Sequence, residues 1–72
     1  MKKIRINGKV CHKFDIAWFM HRTTPLRYPG VTIYYNICTY KQLCEMLYKA
    51  LKKDERFDII DQIDWFDNIA PF

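Results

Sequence analysis

The side chains with chemical potential are few: Cys11, Cys38 and Cys44, His12 and His21, and a run of aspartates near the C-terminus. The chain has no Ser at all, which removes every serine-nucleophile mechanism. A cysteine nucleophile needs a base beside it. Cys11 and His12 are neighbours in sequence, but along a strand they point to opposite faces. Cys44 falls on an apolar helical stripe, where a buried thiol is inert. A zinc site from these Cys and His residues lacks the close C-x₂₋₄-C pairs of structural zinc. Asp58, Asp61, Asp64 and Asp67 recur every three residues. On a helix that period spreads them over half the circumference and converges on no cation, and it matches no calcium loop. With two glycines in the chain, there is no glycine-rich phosphate loop. The expectation is a protein that is not an enzyme and holds neither metal nor cofactor.

The charge is more informative. Residues 1–53 carry eleven Lys and Arg against Asp15 and Glu45, a net +9, while residues 54–72 carry six acids against Arg56, a net −5. One reading is internal: the acidic segment folds onto the basic body. The other is functional, with one surface that seeks anions and another that seeks cations. In the body, Lys3, Arg5, Lys9, Arg22, Arg27 and Lys41 lie among Trp18, Tyr28, Tyr34, Tyr35 and Tyr40. Cations that track phosphates and rings that stack on bases are the ingredients of single-strand binding. Direct binding of single-stranded DNA or RNA by Lys3, Arg5, Lys9, Arg22, Arg27, Tyr28, Tyr34 and Lys41 is therefore an alternative function.

The elements that would carry these residues read as α+β. Ile4 and Ile6 alternate with Lys3 and Arg5 as in a half-buried strand. Asn7-Gly8 is a strong hairpin signal, since a type I′ turn needs φ > 0 at both central positions. Lys9 to Phe14 would be the return strand. Asp15 suits the cap of a short helix from Ile16 to His21, though Ile-Ala-Trp-Phe-Met fits a buried strand equally well. Thr23 to Gly30, with Pro25 and Pro29, is a loop. Val31 to Ile37 alternates apolar and polar positions and is rich in β-branched and aromatic residues, which predicts a third strand. Thr39-x-x-Gln42 is a capping box. It opens a helix whose Leu43, Cys44, Leu47, Ala50 and Leu51 form an apolar stripe. Lys49, Lys52 and Lys53 gather at the end of that helix, where the macrodipole favours cations. Phe57 to Ile69 suits a second helix, weakened by its aspartates. The predicted architecture is an N-terminal β-hairpin plus a third strand, packed on one or two C-terminal helices.

At 72 residues, one domain spans 1–72: a basic body (1–53) and an acidic, aromatic segment (54–72). Half the residues are hydrophobic and 17% aromatic, which argues against disorder and leaves apolar surface for a partner. No apolar run approaches the roughly 20 residues that span a bilayer. The odd cysteine count and the lack of a signal-peptide pattern predict reduced thiols in a cytoplasm. Nine Ile and eight Lys are what AT-rich codons give, as in low-GC bacteria and their phages.

The chain closes Asp64-Trp65-Phe66-Asp67-Asn68-Ile69-Ala70-Pro71-Phe72. These nine residues resemble the C-terminal peptide of bacterial single-stranded DNA-binding protein, which ends in acids, an aliphatic residue and Pro-Phe. The rest of the chain shows no resemblance to that family's DNA-binding domain, and here Ala70 intrudes before Pro-Phe. In that family the final Phe enters an apolar pocket on genome-maintenance proteins and a basic residue holds the carboxylate. The resemblance implies a partner-binding site of Asp64, Trp65, Phe66, Asp67, Ile69, Pro71 and Phe72. It also implies a partner protein of DNA metabolism or defence. The expected function is a small protein-interaction module, an accessory or inhibitor of the kind phages and mobile elements encode.

Overall fold

A computed structural model describes residues 2–69. The order of elements is β1 (Arg5–Ile6), β2 (Lys9–Val10), α1 (Lys13–Thr23), α2 (Val31–Tyr34), a 3₁₀ turn (Tyr35–Ile37), α3 (Tyr40–Lys53), α4 (Phe57–Gln62) and β3 (Ile63–Asp64). The fold is α+β: one small three-stranded antiparallel sheet, ordered β2-β1-β3, beside the helices.

Asn7 (φ 54°) and Gly8 (φ 80°) both take the left-handed conformation that the hairpin requires. The return strand stops at Val10, well short of Phe14. Lys13 already begins α1, so Phe14 is a helical residue. Asp15 is not the cap itself. It sits at the third helical position, and its carboxylate accepts a hydrogen bond from the His12 backbone N–H at 3.0 Å. That bond, chiefly, holds the Asp15 carboxyl below its usual range. At the other end, the buried Thr24 hydroxyl and its own backbone N–H both donate to the Met20 carbonyl, and Pro25 prevents continuation.

The third strand is not Val31–Ile37. That stretch turns as α2 and the 3₁₀ turn, after Gly30 at φ 79°. The reason lies in two coincident periodicities. Val31, Ile33, Tyr35 and Ile37 alternate, but Val31, Tyr34, Tyr35 and Cys38 are also spaced for one helical face. It is the second set that packs on the core. The free edge of β1 goes instead to β3, in register Arg5 opposite Asp64 and Ile6 opposite Ile63. The predicted helix from Phe57 to Ile69 is accordingly cut at Gln62, because Ile63 must be extended (φ −101°, ψ 132°) to pair with β1.

α3 forms as its sequence dictates. The Gln42 N–H donates to Thr39 Oγ1 at 3.0 Å, and the Thr39 N–H donates to Gln42 Oε1 at 2.8 Å. Its stripe of Leu43, Cys44, Leu47, Ala50 and Leu51 is buried in full. Against it pack Ile16, Ala17 and Met20 of α1, with Ile4, Val31 and Ile63 completing the core. Each fully buried Leu or Ile contributes about 1.5–3 kcal/mol. Tyr40 ties the helix to the hairpin: its hydroxyl accepts from the Ile4 N–H at 2.9 Å and donates to the Cys11 carbonyl.

Candidate interaction surfaces

The acidic C-terminal segment is part of the fold through the last described residue, Ile69. Asn68 is fully buried, and its Nδ2 donates to the Lys2 carbonyl (2.6 Å) and the Trp65 carbonyl (2.9 Å). The Trp65 ring meets Tyr48 edge-on at 5.6 Å, and its Nε1–H donates to the Ile60 carbonyl. Ile69 packs on the core edge. Of the residues in the tail resemblance, Asp64, Phe66 and Asp67 are exposed. Asp64 stands opposite Arg5 across the strand pair, and Phe66 lies under the Lys2 ammonium at 5.2 Å. Pro71 and Phe72 lie outside the described residues. The acidic segment thus lies on the basic body, as Arg27 and Asp54 also show with an ion pair at 2.6 Å.

The eight residues proposed for nucleic acid are spread over several elements, from the hairpin to the start of α3. Lys3 lies over the Tyr40 ring at 4.9 Å. Arg5 faces Asp64. Lys9 and Arg22 border a cleft of about 360 Å³ beside Trp18 and Phe19. Arg27 and Tyr28 border another, against the end of α3. Tyr34 is half-buried on the core, and burial pushes its phenol up. Lys41 is exposed in the first turn of α3.

The thiols are placed as packing residues. Burial raises Cys11 and pushes Cys44 up to about 12, so Cys44 is protonated and a poor nucleophile at neutral pH. All three cysteines are unpaired. Among the described residues no three of His, Cys, Asp and Glu come together as metal ligands.

A further exposed surface joins aromatic rings on the outer side of α1. Phe14 and Trp18, four apart on α1, point away from the core with 52% and 41% of their surface exposed. Their rings meet at 5.9 Å. Trp18 continues edge-on to His21 at 5.4 Å, and Phe14 to Tyr35 at 5.8 Å. The result is a row of four rings running His21–Trp18–Phe14–Tyr35. Near Tyr35, Ile33 and Ile37 are each 84% exposed. Lys9 and Arg22 flank the Trp18 end. The signal was present in the sequence: Phe14, Trp18 and His21 recur at i, i+4 and i+7, out of phase with Ile16, Ala17 and Met20. Assigning Phe14 to a strand hid it.

Comparison with protein-family models, curated proteins and solved structures gives no match for this chain.

Proposed function

We propose that this chain is a non-catalytic protein-binding module that docks through the outer aromatic face of α1. The observation that carries this reading is the exposed row of His21, Trp18, Phe14 and Tyr35. Aromatic side chains and Arg dominate the energetics of protein interfaces, and Phe14 and Trp18 leave about half and two-fifths of their surfaces open to such a contact. The C-terminal segment, favoured by its resemblance to a docking peptide, has Trp65 and Asn68 already engaged within the fold. Its role on this reading is chiefly architectural.

The partner is a different protein, not a second copy. Lys9 and Arg22 flank the row, with Asp15 as the single acid beside that cleft, so an acidic surface complements it better than a second copy of this basic one. The surface that fits is apolar at its centre and acidic at its rim. An accessory or inhibitory role on DNA-processing or defence machinery rests on the tail resemblance, and a reducing compartment on the three unpaired thiols.

The test is affinity capture from host extract, with and without nuclease, using the wild type and a Phe14→Ala/Trp18→Ala variant in parallel. A protein retained by the wild type and lost by the folded variant supports the proposal. Equal capture by both, or capture that disappears with nuclease, contradicts it; the second outcome favours the nucleic-acid alternative.

A further inference from the structure

A second surface, which shares none of the four rings of the aromatic row, runs along the solvent side of α3. Gln42, Glu45, Met46, Lys49, Lys52 and Lys53 recur every three or four residues and so lie along one side of the helix. Two clefts adjoin this line, one of about 580 Å³ walled by Leu26, Arg27 and Tyr28, the other of about 390 Å³ walled by Tyr28, Ile37 and Cys38. Both are lined by Tyr28 and Lys49, so the two clefts adjoin and together follow one face of α3. From Gln42 to Lys53 it is about 16 Å long at 1.5 Å per residue, the span of about five extended residues.

The groove is polarised. At its far end Arg27, Lys49, Lys52 and Lys53 gather around Leu26, and the nearby Asp54 is engaged by Arg27. At its near end stand Glu45, Met46 and Ile37. The outer wall is braced: the Arg27 N–H donates to the Thr24 carbonyl, the Val31 N–H to the Tyr28 carbonyl, and the Arg27 guanidinium to Asp54. A braced wall lowers the ordering cost of binding. Leu26 is the most exposed large apolar residue described, at 91%, although it sits on this braced segment.

We infer that this groove binds an extended acidic peptide segment of another protein, with acids on the cluster around Lys49 and Lys53 and a bulky apolar side chain on Leu26 and Tyr28. Charge complementarity sets the acids. The aliphatic walls, Leu26, Ile37 and Met46, set the peptide over a nucleic-acid strand, because a strand is held by stacked rings and Tyr28 is the one ring here. The chain's own acidic segment is not the occupant, since Asp64, Trp65 and Asn68 are held in the sheet and core.

A random peptide library selected on the wild type and counter-selected on Lys49→Glu/Lys53→Glu tests this. Both substituted residues are exposed, and an unchanged melting curve checks that the variant is folded. The surviving peptides are expected to be enriched in Asp and Glu beside a Leu, Ile or aromatic residue. A fluorescein-labelled survivor should bind about tenfold more weakly to the double variant and about fivefold more weakly to Leu26→Ser, with affinity falling as salt rises. Labelled oligothymidylate serves as the competing probe. No discriminating peptide, or discriminating peptides without an acidic excess, overturns the inference. So does oligothymidylate binding that the double variant abolishes while peptides bind both proteins alike. None of these outcomes involves Phe14 or Trp18, so the groove and the aromatic face stand or fall separately.

Discussion

The two long helices use their apolar residues in opposite ways. α3 segregates them: Leu43, Cys44, Leu47, Ala50 and Leu51 all go to the core and charged residues take the outer face. α1 carries apolar residues on both sides. Ile16, Ala17 and Met20 are buried, while Phe14 and Trp18 stay outside. Folding accounts for the whole apolar stripe of α3, leaving Met46, at the core edge, to line the cleft beside it. It accounts for only one side of α1, and the outer rings are left over for another task. Apolar residues on a second face of a helix are thus a sign of an interface as much as of a core.

The contrast should appear most strongly in stability. Leu47→Ala is expected to cost about 2–5 kcal/mol by leaving a cavity under α3. Trp18→Ala, which removes partial contacts with Phe14 and His21, should cost about 1 kcal/mol. Chemical denaturation of both variants measures the difference. Equal losses would erase the distinction between the helices. Asn68→Ala comes next, at about 1–3 kcal/mol, because it leaves the Lys2 and Trp65 carbonyls without their donor. A neutral result would mean that the C-terminal segment is not part of the frame α3 supports.

Tyr40 sharpens the picture at the start of α3. Tyr40→Phe removes the acceptor of the Ile4 N–H and the donor to the Cys11 carbonyl, at about 1–3 kcal/mol. Burial pushes the Tyr40 phenol up to about 12, against about 10 in an unfolded chain. Between those values the folded protein holds a proton that the unfolded chain has released. The stability is therefore fully present below pH 10 and lost as pH rises towards 12. An alkaline titration of the melting temperature should fall across that window in the wild type and be flatter in Tyr40→Phe.

The smallest effect is chemical. Iodoacetamide should label the half-exposed Cys38 well before Cys44, which is fully buried with its thiol pushed up to about 12. Early labelling of Cys44 would mean that the α3 stripe opens readily.

What could be read in the sequence was whatever a single local rule decided. Asn7-Gly8 fixed the hairpin, and Thr39-x-x-Gln42 with its stripe fixed α3 and most of the core. Where two rules competed, tertiary context chose. Val31–Ile37 satisfied both the strand and the helix period, and β3 takes the open edge of β1. Phe57–Ile69 read as helix, but pairing Ile63 and Asp64 with β1 was worth more than continuing a helix of aspartates. The α3 groove was half legible: Lys49, Lys52 and Lys53 stood out as helix-end cations, but nothing local places Leu26 and Tyr28 beside them.

The central claim, that the outer face of α1 binds and does not fold, is tested most directly on one substitution. Trp18→Ala should be measured by calorimetric melting and by titration against the protein captured by the wild type. The expected result is a melting temperature lowered by roughly 4–8 °C, the shift that about 1 kcal/mol gives in a domain of this size, and a drop in affinity of about tenfold or more. A melting temperature depressed as far as in Leu47→Ala, with affinity unchanged, would contradict it and make Trp18 a core residue.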